Sequence, residues 1–293
     1  MKDADYEIPV DGKVMACLDV SAYSHSVTDY AAWASRRLAA ELVCLHVLDH
    51  KTVRPATGDY SGSIGIDAGS HLLDELTELE AQQNRLAMQQ GRAMLEQAGA
   101  RAAEAGALRP RSVQRQGPLA RALTELEDQV RLFVLGKRGA AARFNSDHLG
   151  ANLERVVRSV HRPTLVTSRE FRPVNTFGIA FDGSATTRKC VNMVAISPLL
   201  KGLDCHLIVA GNPPARPEGL DWAMQHLSDA GFEPEVHIES GNAEQVIARQ
   251  VEAIELDLLV MGAYGHSRIR HLIVGSTTTT ILRNCQIPIL LLR

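Results

Sequence analysis

The sequence predicts an α/β protein of two tandem, doubly wound domains, each with a five-stranded parallel sheet flanked by helices. Three observations support this prediction: short runs rich in Val, Ile and Leu alternate with helical stretches, the alternation occurs twice, and each half opens on an apolar run that ends in aspartate. Short apolar strands that alternate with helices are typical of parallel sheets covered on both faces. We therefore expect the two halves to be copies of one unit.

Both halves repeat the same order of elements. The first strands, KVMACLD and TFGIAFD, end in Asp19 and Asp182, and each is followed by a helical stretch and a second apolar run. The fourth strands, VRLFVLG and LDLLVMG, precede a glycine loop, and the final strands, PTLVT and PILLLR, begin with proline. Parallel sheets of this kind bind ligands beyond the carboxyl ends of the strands, where the strand order reverses. We therefore expect the aspartate and the glycine loop of each half to face one site.

An insertion makes the first half longer than the second. Asp19 and Asp182 are 163 residues apart but Pro163 and Pro288 are only 125 apart, so the first half holds about 38 extra residues between its second and third strands. The insertion, about 50–105, starts with a Gly/Ser-rich loop and continues as LLDELTELEAQQNRLAMQQGRAMLEQA. The spacing of Leu and Met in this stretch predicts one long amphipathic helix.

The junction between the halves is polar. The stretch TSREFRPVN contains a proline and predicts a linker, which gives domains of residues 1–168 and 174–293. The two final strands are apolar and would each lie at a sheet edge, where unpaired backbone invites a partner strand. We expect the halves to pair there as a pseudo-two-fold unit, and the Leu-rich helix of the insertion to provide a surface for a homodimer.

Composition and charge exclude several classes of function. The 293 residues carry a net charge of -3, which offers no general positive field to attract nucleic acid. Apolar runs fall short of the ~18 residues that span a bilayer, and the acidic start of the chain lacks the apolar core of a signal peptide. The five cysteines form no CxxC pair and the eleven histidines show no HExxH spacing, which predicts reduced core thiols and no metal site. We expect a cytoplasmic protein with neither nucleic-acid nor membrane partners.

The glycine loop of the second half has the chemistry of a phosphate site. Gly262 ends the strand without a side chain that would block a ligand, Gly265 permits a positive φ in a tight turn, and Gly275 directly precedes a helix. Ser276 and Thr277 then place hydroxyls beside the first amides of that helix, whose N-terminus favours anions. The alternative is that Ser276 only caps the helix. Neither a Walker A loop nor GxGxxG is present to decide between the two interpretations.

The pattern G-x2-G-x9-G-[ST] after an apolar strand, paired with a strand-ending aspartate, resembles the universal stress protein family. Two copies in one chain resemble its tandem members, and the resemblance covers about residues 14–293. It implies an adenine nucleotide alpha-hydrolase-like fold and, as in the ATP-binding members of the family, a site for ATP with or without Mg²⁺. Carried over position by position, the resemblance implies that an aspartate faces the ribose or adenine, apolar residues line the base, and the loop wraps the phosphates: Asp182, Ala180, Val209, Met261, Gly262, Gly265, Gly275, Ser276 and Thr277.

The first half departs from this pattern. Its loop is one residue longer between the second and third glycines, and Ala151 stands where the phosphate-contacting hydroxyl is expected. Its strand-ending aspartate is retained, Val47 matches Val209, and Lys137 and Arg138 offer charge to a phosphate. We therefore expect a weaker second nucleotide site at Asp19, Val47, Gly136, Gly139 and Gly150.

Three functions remain open at this point. The first is a cytoplasmic, ATP-binding stress-response or regulatory protein with at most weak ATP hydrolysis, since the motif brings no nucleophile–base pair or carboxylate cluster with it. The second is a nucleotide-independent interaction module with a degenerate site, which the altered loop of the first half favours. The third is an enzyme of the wider adenine nucleotide hydrolase group. That enzyme would need an SGGxDS-type loop after the first strand, which neither DVSAYS nor DGSATT provides.

Overall fold

The computed structural model describes residues 11–49, 66–139, 151–211, 217–263 and 276–293. The first half consists of β1 (Lys13–Leu18), α1 (Ser24–Leu38), β2 (Glu41–Leu48), α2 (Ile66–Glu104), β3 (Leu108–Gln116), α3 (Leu119–Leu126), β4 (Val130–Gly136), α4 (Ala151–Ser159) and β5 (Thr164–Thr167). The second half consists of β6 (Thr176–Ala180), α5 (Ala185–Ile196), β7 (Asp204–Ala210), α6 (Leu220–Asp229), β8 (Glu235–Glu239), α7 (Ala243–Ala253), β9 (Leu258–Gly262), α8 (Ser276–Asn284) and β10 (Ile289–Leu292).

The two halves share one continuous sheet. Its strand order is β3-β2-β1-β4-β5-β10-β9-β6-β7-β8, so each half has the same doubly wound arrangement of its own five strands. Strand pairs within a half are parallel, whereas β5 and β10 pair antiparallel with Leu165 opposite Leu290. The predicted pairing of the final strands and the pseudo-two-fold relation of the halves are confirmed. The hydrogen bonds of β5 and β10 are thereby satisfied within the chain.

Two apolar layers form the core, one on each face of the sheet. The layer under α1, α2, α5 and α6 contains Tyr30 and Phe177, and the layer under α3, α4, α7 and α8 contains Phe133 and Leu259. Alternate residues of a strand point to opposite layers, so a strand covered on both faces is apolar throughout. This explains the uninterrupted apolar runs in the sequence.

The insertion forms the long helix that its spacing predicts. Helix α2 spans 39 residues and takes the place that α6 occupies in the second half. A Cβ at Gly91 would lie 2.5 Å from Gln114 Nε2 and 2.6 Å from His46 Cδ2, so the absence of a side chain lets α2 approach the sheet closely. Residues 50–65, the start of the insertion, lie outside the described ranges.

The segment between the halves packs on α1. The hydroxyl of Tyr30 lies 3.2 Å from Ser168 Oγ and accepts a hydrogen bond from the backbone N–H of Arg172, also at 3.2 Å. The ring of Phe171 meets that of Tyr30 edge-on, with 4.7 Å between the ring centroids. These contacts of Tyr30 hold the junction against the first half. The domain limits at residues 168 and 174 stay a prediction.

The sequence predicts reduced core thiols and no membrane-spanning helix. Within the described ranges, none of the helices is long and apolar enough to cross a membrane. All five cysteines are free thiols, and Cys44, Cys190 and Cys205 are buried. Burial raises the pKa of Cys44 to about 11, which keeps the thiol in its protonated form at neutral pH.

Candidate functional site

In each half, the carboxyl ends of the central strands form a topological switch point, which we call the crevice of that half. β1 lies between β2 and β4, and β6 lies between β7 and β9, so the direction of chain progression reverses beside β1 and β6. Helices that follow the flanking strands run to opposite faces, which leaves an opening above the strand ends. Asp182 follows β6, and Gly262 ends the adjacent β9. The predicted aspartate and the first loop glycine thus lie at neighbouring strand ends beside the switch point.

Asp182 also organises the turn into α5. Its Oδ1 accepts hydrogen bonds from the backbone N–H of Ser184 at 2.9 Å and from Thr187 Oγ1 at 2.8 Å. Ser184 caps α5, because its Oγ accepts the N–H of Thr187 at 3.3 Å. Gly183 has φ 78°, and a Cβ there would lie 2.5 Å from the carbonyl oxygen of Glu218. The carboxylate is exposed at the crevice while one of its oxygens holds the turn in place.

Asp19 makes the corresponding turn in the first half. Its Oδ1 accepts the N–H of Ser21 at 3.1 Å, and Ser21 Oγ in turn accepts the N–H of Tyr23 at 3.2 Å. The loop lies against the other carboxylate oxygen, since a Cβ at Gly139 would be 2.8 Å from Asp19 Oδ2. The structure therefore brings Asp19 and Gly139 together, whereas Gly150 lies outside the described residues.

Packing accounts for the glycine that ends the fourth strand of each half. A Cβ at Gly262 would lie 2.5 Å from Thr186 Cγ2, on the helix that follows β6. A Cβ at Gly136 would lie 2.7 Å from Tyr23 Cβ, just ahead of the helix that follows β1. The sequence suggested that Gly262 keeps a ligand path open, but the closest obstacle to a side chain is the protein's own α5. This contact corrects the reason for the glycine without changing its place at the crevice.

The three residues predicted to line a base differ in what they expose. Ala180 is half-buried, while Met261 is 5% exposed and Val209 is 1% exposed. The side chain of Val209 belongs to the core layer under α5 and α6, and that of Met261 belongs to the opposite layer. Val209 is therefore able to contact a ligand through its backbone but not through its side chain.

The predicted equivalence of Val47 and Val209 is wrong by one residue. Cys17 and Ala180 each lie two residues before the strand-ending aspartate of their half. Cys17 pairs with Leu45, and Ala180 pairs with Ile208. Counted from these pairs, the equivalent of Val47 is Ala210, which is exposed at the end of β7. A shift of one residue moves a side chain to the other face of the sheet, so Val209 lies in the layer under α5 and α6 whereas Val47 packs against the opposite layer. Ala210 is a crevice residue that the sequence analysis missed.

His46 occupies the first-half position that corresponds to Val209. The side chain is buried, and its Nδ1 lies 2.8 Å from the carbonyl oxygen of Leu18. Because that carbonyl ends β1, the imidazole ties β2 to β1 where the second half relies on apolar packing. The two crevices therefore differ in their walls as well as in their loops.

The structure describes the two ends of the glycine loop in the second half. The strand end at Gly262 and the helix start at Ser276 are described, and α8 begins at Ser276 as the motif predicts. Thr277 is half-buried in the first turn of this helix. Gly265 and Gly275 lie outside the described residues, so their assignments stay predictions.

Lys137 contributes to the contact between the halves. Its ammonium group donates a hydrogen bond to the carbonyl oxygen of Cys285, which follows α8 of the second half. Burial lowers the pKa of Lys137, the thiol of Cys285 opposes the shift, and the guanidinium of Arg138 adds to it. The sequence-based interpretation that Lys137 supplies charge to a phosphate is therefore corrected, since the ammonium is engaged at the junction.

A cation and an aromatic ring lie beside the Asp182 turn. Arg188 Nε donates to the carbonyl oxygen of Gly183 at 3.0 Å, and its guanidinium lies 5.6 Å from the centre of the Trp222 ring. Trp222 stacks on His226 at 5.2 Å and is 37% exposed. These residues come from α5 and α6, and no sequence motif joins them, so pattern analysis had no signal for the pair.

Comparison with known proteins gives one consistent family. The model of the universal stress protein family matches residues 12–168 and 210–293. A universal stress protein of Synechocystis sp. is 37% identical over 284 residues, which cover 96% of this chain and 99% of that protein. A universal stress protein from Archaeoglobus fulgidus has a similar structure, with a TM-score of 0.69 and 20% identity over 96% of this chain and 98% of that one. A functionally unknown protein from Pseudomonas aeruginosa gives a TM-score of 0.60 at 15% identity, over 96% of this chain and 92% of the other. At these identities, the two structural likenesses show the fold alone.

Proposed function

Because this chain belongs to the universal stress protein family as a tandem member, we propose that its second half binds ATP or a related adenine nucleotide. The bound nucleotide would then serve a stress-response or regulatory role. The observation that carries the proposal is the position of Asp182 and Gly262 at adjacent strand ends beside the switch point. Ligands of doubly wound sheets bind at such a point.

The chemistry of the crevice suits a nucleoside phosphate. An exposed carboxylate such as Asp182 accepts hydrogen bonds from ribose hydroxyls, and the start of α8 offers N–H groups and a helix dipole to an anion. Our proposal adds Ala210 to the residues that the sequence assigns to this site, and keeps the others: Ala180, Asp182, Val209, Met261, Gly262, Gly265, Gly275, Ser276 and Thr277.

We expect hydrolysis of the nucleotide to be slow at most. Phosphoryl transfer requires a positioned metal ion and a group that orients the attacking water. Asp182 Oδ1 already accepts two hydrogen bonds from the turn into α5. A carboxylate fixed in this way serves as a binding group, and the proposal is therefore nucleotide-dependent regulation rather than turnover.

Asp182→Asn tests the nucleotide site. Asparagine keeps an oxygen that accepts the N–H of Ser184, so the turn survives while the charge is lost. A hydrogen bond to a charged group contributes about 1.5–3 kcal/mol. We therefore expect isothermal titration calorimetry with ATP to show an affinity at least about tenfold weaker for the variant.

Asp257→Asn is the matched control. Asp257 Oδ2 accepts the N–H groups of Asn175 at 2.8 Å and Thr176 at 3.1 Å, at the opposite end of β6 from Asp182. We expect this variant to bind ATP as the unmodified protein does. Equal weakening by both substitutions would indicate a general loss of structure, and unchanged affinity in Asp182→Asn would overturn the assignment.

The stoichiometry of the same titration reports on the weaker second site. In the first half, Gly139 lies against the carboxylate of Asp19, and the ammonium of Lys137 is hydrogen-bonded at the junction. Both groups are therefore less available to a ligand, which favours one bound nucleotide per chain. A second binding event that Asp19→Asn removes would support the site proposed at Asp19, Val47, Gly136, Gly139 and Gly150.

A nucleotide-independent interaction module is the second candidate function, and the close approach of Gly139 to the carboxylate of Asp19 is the observation that favours it. Protein purified without added nucleotide and analysed by mass spectrometry after denaturation distinguishes the two. Co-purified adenine nucleotide supports the first proposal. Absence of nucleotide, together with no heat on titration with ATP, supports the second.

We propose in addition that the protein forms a homodimer through α2 in the cytoplasm. Leu79 and Leu86 are one heptad apart on this helix, and they are 53% and 58% exposed. Sedimentation analysis should show a dimer that Leu86→Gln weakens, and a strict monomer would refute the pairing. The five free thiols suit a reducing compartment, and cell fractionation tests the location.

A further inference from the structure

Three side chains that commonly bind metals meet on the two outer strands of the second half. His206 on β7 is opposite Glu235 on β8, and Ile208 is opposite His237, so His206, Glu235 and His237 lie on the same face of the sheet. His206 Nδ1 lies 2.9 Å from His237 Nε2 and 3.6 Å from Glu235 Oε2. One ligand atom from each residue lies within 4.8 Å of the others. On this arrangement we propose that the three residues bind one divalent transition-metal ion, such as Zn²⁺.

The distances suit a single ion. Metal–ligand bonds of about 2.0–2.1 Å at tetrahedral angles place neighbouring ligand atoms about 3.3–3.4 Å apart. The separations of 2.9 Å and 3.6 Å around His206 Nδ1 lie on either side of that value. A small rotation of the half-buried His237 would lengthen the first separation, and Glu235, whose side chain is 69% exposed, has room to shorten the second.

The donor set selects the class of metal. Imidazole nitrogens suit Zn²⁺, Co²⁺, Ni²⁺ and Cu²⁺, whereas Mg²⁺ and Ca²⁺ prefer oxygen ligands. Three protein ligands leave one position of a tetrahedral ion for water, which the exposed side of Glu235 admits.

This metal site is separate from the crevice. His206 lies four residues before the end of β7, a distance of about 13 Å along the strand at about 3.3 Å per residue. Metal binding and nucleotide binding can therefore succeed or fail independently. Since β8 is an outer strand, an ion held between β7 and β8 would fix this edge of the sheet to its neighbour.

The competing explanation is an ordinary hydrogen bond between two imidazoles with a carboxylate nearby. Metal titration of the full chain, purified without a histidine tag and treated with a chelator, distinguishes the two. We expect one Zn²⁺ or Co²⁺ per chain by calorimetry, a rise in the melting temperature with added Zn²⁺, and visible Co²⁺ absorption typical of a four-coordinate ion. Because Glu235 is exposed, Glu235→Gln should fold normally, and it should weaken binding at least about tenfold, as losses around metal sites do.

His237→Ala should weaken binding further, and circular dichroism checks its folding. His161→Ala is the matched control, since His161 Nδ1 lies 3.5 Å from Glu127 Oε2 and, among the described residues, that pair belongs to no cluster of three metal ligands. We expect the control to bind metal unchanged. A dissociation constant weaker than about 1 mM, or equal affinity in Glu235→Gln and the unmodified chain, would overturn the proposal.

Discussion

The packing of the glycine at the end of β9 can be tested by adding one methyl group. Gly262→Ala would place a Cβ 2.5 Å from Thr186 Cγ2, with Thr186 Cβ as the next atom at 3.3 Å. Either α5 has to move away from the sheet or Thr186 has to leave its rotamer. Overpacking of this kind costs about 1–3 kcal/mol. We therefore expect Gly262→Ala to lower the free energy of unfolding by about that amount, in protein free of nucleotide.

The structure also predicts how to relieve the strain. Thr186→Ser removes Cγ2, so the closest remaining contact with the new Cβ becomes 3.3 Å rather than 2.5 Å. The double variant should therefore lose less stability than the sum of the two single variants. Residues in contact show coupling energies of about 0.5–3 kcal/mol. Thermal unfolding followed by circular dichroism resolves this difference, since 1 kcal/mol corresponds to about 2–4 °C in domains of about 150–250 residues.

The first half supplies the control for this reasoning. A Cβ at Gly136 would lie 2.7 Å from Tyr23 Cβ, an atom that Tyr23→Ala retains. Tyr23→Ala should therefore fail to rescue Gly136→Ala, although the aromatic ring has been removed. Strictly additive losses in the Gly262 and Thr186 pair, or full rescue in the Gly136 and Tyr23 pair, would refute the assignment of strain to these contacts.

Two further predictions concern the junction. Burial raises the pKa of Tyr30, so the unfolded chain loses the phenol proton at a lower pH than the folded protein does, and the free energy of unfolding should fall as the pH rises above about 10 through the folded pKa. Tyr30→Phe should lessen this fall in melts at alkaline pH. At neutral pH the same variant should lose about 0.5–1.5 kcal/mol of stability, because the hydrogen bond from the N–H of Arg172 is removed. Leu165 is fully buried in the β5–β10 pair, so Leu165→Ala should cost about 2–5 kcal/mol and lower the melting temperature of both halves together in calorimetry. Unaltered alkaline behaviour in the first case, or destabilisation of one half alone in the second, would contradict these predictions.

The sequence predicts the central strands well and the outer strands poorly. β1, β4, β6 and β9 are buried on both faces, so each appears as an apolar run that needs no further context. The outer strand β3, with the sequence LRPRSVQRQ, is largely exposed and carries three arginines. Polar outer strands discourage pairing with other chains, and the same polarity removes the apolar pattern by which a strand is recognised.

The candidate site shows which residues a sequence pattern can assign and which need the tertiary structure. The sequence locates Asp182 and Gly262 at the ends of neighbouring strands, because each terminates an apolar run and the fold sets these two strands side by side. Val47 was matched to Val209 on similar letters, but the register of β2 and β7 relative to their neighbours decides the face, and it assigns Ala210 instead. Lys137 was assigned from charge alone, whereas its partner Cys285 is known only from tertiary structure.

The metal ligands illustrate the same limit in another way. His206 and His237 are 31 residues apart, and helix α6 lies between them, so no local spacing joins them as HExxH does. What joins them is the pairing of β7 with β8, which sets Ile208 opposite His237 and therefore puts both imidazoles on one face. A sequence search for metal sites succeeds when the ligands share one helix or loop. It fails for ligands on neighbouring strands, where the register of the pair, rather than the distance along the chain, decides which side chains meet.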